Sequence, residues 1–193
     1  MPVTLSRTHY IVIAAVIAVL AAAVVLYEMR GGAVQQMAGP PASLAPYAVA
    51  KAPAPVPQVA IDDVKGARLA LSTFKGKYIL LNLWATWCAP CVRELPALAK
   101  LKSSVGSDQF DVVAVDVGRG TAADARTFLD AHGAKSLDTY VDSNLALLRA
   151  FGAFGLPLTV LIDRQGREIG RAVGPAAWDS PEAIAYFSDL AKH

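Results

Sequence analysis

The hydrophobic pattern divides the chain into three stretches. Tyr10–Tyr27 runs for eighteen residues without a charge. As a helix it covers about 27 Å, close to the hydrocarbon thickness of a bilayer. A tyrosine at each end suits the interfacial aromatic belt. The pattern therefore predicts one transmembrane helix over 10–27, with residues 1–9 as a cytoplasmic N-terminus. A cleaved signal peptide is the alternative, because Ala21-Ala22-Ala23 offers small residues, although its apolar core is usually shorter, about 7–15 residues. Arg7 before the span, with Glu28 and Arg30 after it, sets no firm orientation. Residues 28–58 lose all periodicity and are rich in Gly, Ala and Pro, with Pro40-Pro41, Pro46, Pro53, Pro55 and Pro57. Prolines lack the backbone donor and favour extended chain, which predicts a semi-stiff linker.

From Val59 the pattern is that of a folded domain. Val59–Ile61 and Arg68–Leu71 suit a short hairpin around Lys65-Gly66. Tyr78–Trp84 and Asp111–Val117 are apolar on both faces, as strands covered on both sides are. Leu158–Asp163 and Arg167–Val173, joined at Arg164-Gln165-Gly166, suit two further strands. Helices are expected after Cys88, with Pro96 bending the first, and from Thr121 to about His132, opened by a capping box with Asp124. Others are expected from Asp142 or Ser143 to Phe151, and from Ser180-Pro181 to Lys192. This order predicts an α/β fold: a mixed sheet with helices on both faces.

The totals add exclusions. In 193 residues the net charge is +2 and no basic run occurs, so nothing points to nucleic acid. The 54% hydrophobic content is high for a soluble protein, and the N-terminal run explains much of the excess. Both cysteines lie in one tight motif, Trp87-Cys88-Ala89-Pro90-Cys91. It joins a predicted strand to a predicted helix, where unpaired N–H groups and the positive end of the dipole stabilise a thiolate. Cys88 is thus the candidate nucleophile, and Cys91, about one turn later, the resolving thiol. A structural disulfide closing so short a loop gains little. A zinc site wants four ligands, and His9, His132 and His193 are not paired at ligand spacing. Pro90 suits the helix start, where a missing N–H costs little. Trp87 is either a shield for the sulfurs or a packed aromatic. Glu94, three residues after Cys91, points to nearly the same side of the helix; the plain alternative is a solvated residue paired with Arg93 or Lys100.

The segment Leu80–Cys91, followed by Glu94 and Pro96, resembles the active-site segment of the membrane-anchored thioredoxin-like proteins of bacteria. It is most similar to the TlpA type, with the cytochrome c maturation reductases as near cousins. The likeness continues through Gly155-Leu156-Pro157, Val160–Gly166 and Gly174–Trp178, covering residues 59–193. It implies a thioredoxin-like fold, with an extra helical segment between His132 and Phe151. It also implies that Glu94 tunes proton transfer at the cysteines, and that Pro157 is cis and faces the disulfide. Leu156 would then leave its backbone free to pair with substrate, so that Trp87, Pro90 and Leu156 border a substrate groove. Two departures stand out. Asn82 replaces the buried aspartate of cytosolic thioredoxins, and Leu158 follows Pro157 where the family often has Thr, with Thr159 next.

The resemblance implies a thiol–disulfide oxidoreductase needing no cofactor or metal, anchored in the bacterial inner membrane with its domain in the periplasm. In that oxidising compartment a tethered reductant is recharged by a membrane electron donor. The implied substrates are disulfides of a copper-delivery protein or a cytochrome oxidase subunit, with apocytochrome c as the near alternative. A disulfide-forming oxidase, a copper chaperone using His132 or His193, and a peroxidase remain as rivals.

Overall fold

The computed structural model describes residues 16–21 and 39–192. Two units are distinguished, Met1–Met37 and Ala38–His193. In the first, residues 16–21 are helical and exposed. The rest of the expected membrane span lies outside the described residues, as do residues 28–38 of the expected linker and His193. Among the described residues no helix is long and apolar enough to cross a membrane.

The second unit is built on one sheet of eight strands. In chain order these are β1 (Ala48–Pro55), β2 (Ala60–Asp63), β3 (Arg68–Ala70), β4 (Tyr78–Trp84), β5 (Phe110–Asp116), β6 (Asp138–Val141), β7 (Leu158–Ile162) and β8 (Arg167–Val173). In space the order is β1-β8-β7-β4-β5-β6-β2-β3. β4, β5 and β6 run parallel. β7, β8 and β1 add antiparallel on one side, β2 and β3 on the other. The helices are α1 (Ala89–Val105), α2 (Ala122–Ala131), α3 (Ala146–Ala150) and α4 (Pro181–Leu190).

The alternation along β4 sorts the core into two layers. Leu80 and Trp84 face a cluster with Leu95 and Leu98 of α1, Leu129 of α2 and Phe187 of α4. Ile79, Leu81 and Leu83 face the other, with Ile61, Leu71, Leu147 and Phe151. Helical elements therefore cover both faces, as a thioredoxin-like fold requires. Asn82 sits between Leu80 and Trp84 in this alternation, and so on the side of α1.

Three expectations change. Residues 39–58 are not a free linker. Ala42–Leu44 makes a single helical turn, and Ala48–Pro55 pairs with β8. An edge strand pairs on one side only, so its prolines cost few ladder bonds. Leu44, Tyr47 and Val56 are buried, anchoring the segment. Next, the stretch between His132 and Phe151 holds a strand, β6, and one short helix. Finally, α3 starts at Ala146 because Leu145 takes a left-handed conformation, φ 60°, at its N-cap. Asp142 still serves that helix, its Oδ2 accepting from the Leu147 N–H at 2.7 Å.

Candidate active site

β4 ends at Trp84, and a short turn places Cys88 as the N-cap of α1. Cys88 and Cys91 form a disulfide with Cα atoms 5.3 Å apart. The Cys91 N–H donates to Cys88 Sγ at 3.4 Å. This is one of the helix's otherwise unpaired donors, and it would favour a thiolate at Cys88 once the bond opens. The two cysteines are unequal: Cys88 is 6% exposed and Cys91 fully buried. Of the two, only Cys88 keeps any surface that an incoming partner could meet. Pro90 lies in the first turn of α1, half-buried.

Glu94 lies one turn beyond Cys91, buried at 4% exposure. It pairs with neither Arg93 nor Lys100; Lys100 instead bridges to Asp179 at 3.2 Å. Its carboxylate is held from three directions. Asn82 Nδ2 donates to Oε1 at 2.9 Å. The Trp178 indole N–H donates to Oε2 at 2.9 Å, and the Ala176 N–H to the same oxygen at 3.4 Å. Burial raises the Glu94 pKa from 4.5 to about 7, opposed by the bonds from Trp178, Asn82 and Ala176. A carboxyl poised there can give or take a proton near neutral pH.

Asn82 also donates to Thr159 Oγ1 at 2.9 Å, tying β4 to β7 beneath the site. The sequence marks Asn82 only as a lost acid, yet an amide in an otherwise apolar strand must be paired when buried. That rule is the one sequence signal from which a partner for Asn82 could be found. Trp178 lies in a stretch singled out from the sequence, but its link to Glu94 spans 84 positions and has no local signal.

The Leu156–Pro157 bond is cis. The Pro157 carbonyl accepts from the Gly174 N–H at 2.9 Å, and Leu156 packs against the cluster that holds both cysteines. Trp87 is not a packed core aromatic. It is 68% exposed and walls a cavity of about 420 Å³ with Arg119, Asn144 and Leu145. His132 closes α2: its ring stacks on Phe128, and Nδ1 lies 2.8 Å from the Phe128 carbonyl.

Residues 51–186, more than half of the chain, match the Redoxin family. The chain belongs to the Redoxin family. This Redoxin chain is 33% identical to the thiol-disulfide oxidoreductase ResA of Bacillus subtilis over 118 residues, 61% of this chain and 65% of that protein. To the protein of the same name in Geobacillus thermodenitrificans it is 32% identical over 111 residues, 58% and 63% of the two. The matches thus span less than two thirds of those relatives' length. Among solved structures, a thioredoxin-family thiol:disulfide interchange protein from Chlorobium tepidum superimposes with a TM-score of 0.56 at 26% identity, covering 74% of this chain and 97% of that one. The exposed lipoprotein thioredoxin Etrx1 of Streptococcus pneumoniae gives 0.55 at 27% identity, covering 69% and 97%. The cystine of this Redoxin domain sits in a thioredoxin-like frame.

Proposed function

We propose that the chain is a protein thiol–disulfide oxidoreductase acting chiefly as a reductant. The observation that carries this reading is the asymmetric cystine at the start of α1, Cys88 retaining a little surface and Cys91 none, with a buried carboxyl one turn on. The relatives' name, thiol-disulfide oxidoreductase, supports the oxidoreductase part of this reading. In the reaction, the Cys88 thiolate attacks one sulfur of a partner disulfide. The partner's other sulfur leaves as a thiolate and takes a proton. Cys91 then gives its proton to the Glu94 carboxylate and attacks Cys88 Sγ. The partner's second sulfur leaves, and the cystine of this chain closes. Two electrons pass to the partner, and a second thiol–disulfide exchange must restore them.

The finer reading is a domain anchored by residues 10–27 in a bacterial inner membrane, working in the periplasm. It would be recharged by a membrane electron donor and would open disulfides in a copper-delivery protein or a cytochrome oxidase subunit, apocytochrome c being the alternative substrate. The apolar run and the family resemblance support this.

The test is the reduction potential of the Cys88–Cys91 couple in the full chain, equilibrated against glutathione. About 30 mV is a tenfold change in the exchange equilibrium. A value at or below about −200 mV fits a reductant; one near about −120 mV would make the protein a disulfide donor instead. Cys91→Ser should accumulate a mixed disulfide with its partner, seen on a non-reducing gel, while Cys88→Ser should form none. Full multiple turnover by Cys91→Ser would sink the two-step scheme.

A further inference from the structure

The cavity beside Trp87 takes no part in the chemistry above. It opens where three parallel strands end. Trp87 follows β4, Gly118 and Arg119 follow β5, and Ser143–Leu145 follow β6. The crevice at the carboxyl ends of such strands is where open α/β sheets bind ligands. Trp87, one wall of this cavity, directly precedes Cys88 in the chain.

The loops around it are closely held. The Gly118 N–H donates to Asp116 Oδ1 at 2.7 Å, and a Cβ at Gly118 would lie 2.8 Å from that same oxygen, so a larger residue would have to displace the Asp116 carboxylate. Leu145 has the one positive φ at a non-glycine residue among the described residues. Strain of that kind persists where the surroundings fix it, and gathers at ligand sites. The nearby carboxylates are engaged with their own loops: Asp116 with Gly118, Asp124 with Thr121, Asp142 with the Leu147 N–H. None of the three lines the cavity. Arg119 does, and it is exposed. Among the described residues no carboxylate pairs with it. One uncompensated guanidinium, two small polar side chains and an indole wall make a pocket suited to a carboxylate on a short aliphatic stem.

We propose that this cavity is a specificity subsite that takes an acidic side chain flanking the cystine of a partner polypeptide, with Arg119 as its counter-ion and Trp87 as its wall. The proposal rests on the oxidoreductase reading and adds the class of partner: a protein whose disulfide is bordered by Asp or Glu.

The test uses the full chain, reduced, and three peptides of equal length that each carry one cystine. They differ in a single flanking residue, Glu, Gln or Lys. Bis(2-hydroxyethyl) disulfide, neutral and without flanks, reports the chemistry alone. The wild-type chain should reduce the Glu peptide about fivefold faster than the Gln peptide, and the Lys peptide slowest. The preference should fade as salt is raised. Arg119→Glu should reverse the order, and Arg119→Gln should flatten it, while both keep the wild-type rate on bis(2-hydroxyethyl) disulfide. Equal wild-type rates for the Glu and Gln peptides overturn the subsite and leave the activity standing. So does an unchanged order in Arg119→Glu. If no disulfide is reduced, the oxidoreductase reading falls and the subsite with it.

Discussion

Glu94 concentrates what single side chains contribute. Its folded pKa lies near 7 against an ordinary 4.5, so the folded state binds the extra proton between those values. The favourable contribution of the neutral carboxyl is complete below about pH 4.5 and is lost as the pH rises to about 7. The gap corresponds to about 3 kcal/mol. Glu94→Gln removes the titration, so its stability relative to wild type should rise by about that amount between pH 4.5 and pH 8, read from denaturant unfolding of the oxidised protein. In exchange assays the same variant should slow the release of the mixed disulfide by about 10²-fold, the usual contribution of a positioned base. Trp178→Phe keeps an aromatic side chain, though a smaller one, and removes a donor to Oε2. The pH midpoint of the release step should then move upward, and a midpoint that stays put would exclude Trp178 as a positioning residue. Asn82 Oδ1 is buried without a partner among the described residues. Rotating that amide brings the oxygen to where Nδ2 now stands, 2.9 Å from Oε1; a protonated Glu94 would then have an acceptor. The residues legible in the sequence were those whose meaning is local, Cys88 and Cys91 by spacing. Asn82 and Trp178 take theirs from partners far away in the chain.

Among the elements, the apolar runs announced β4, β5 and β7, and caps announced α2 and α4. In α2 the reciprocal bonds of Thr121 and Asp124 are both formed. In α4 Ser180 Oγ accepts from the Ala183 N–H at 3.1 Å. β6 is only four residues long, too short to show a period, and was hidden in a stretch that suited helix. β1 was hidden by its prolines. What fixes β1 is its fit to β8 at Gly170, where a Cβ would run into the Tyr47 hydroxyl and crowd the Ala48 carbonyl. Gly170→Ala should therefore destabilise the domain by about 1–3 kcal/mol, the usual cost of overpacking. Joined with Tyr47→Leu, the combined loss should be smaller than the sum of the two, as expected for neighbours sharing one clash. Strict additivity, measured by thermal unfolding of the four proteins, would mean that Tyr47 is not the obstacle.

At the scale of the whole molecule, the folded unit starts well before the sequence pattern suggested. Ser43 bonds Ser180 at 3.0 Å, and Tyr47 packs edge-on against Trp178 with ring centroids 6.5 Å apart. The same Trp178 holds Glu94, so the segment before β2 braces the active site. A fragment starting at Val59 loses Leu44, Tyr47 and Val56, each worth about 1.5–3 kcal/mol of buried side chain. It should be less stable than a fragment starting at Gly39 by about 5 kcal/mol or more, and should expose the edge of β8. Equal denaturation midpoints would show that this segment adds nothing to the fold. The burial of Cys91 has a further consequence, for damage rather than turnover. Peroxide reaching the reduced molecule meets Cys88 and turns its thiolate into a sulfenic acid. Cys91, its Cα 5.3 Å away in the closed form, condenses with that group and releases water before a second oxidant arrives. The product is the ordinary cystine, which a reductant can reopen, rather than a sulfinic acid, which it cannot.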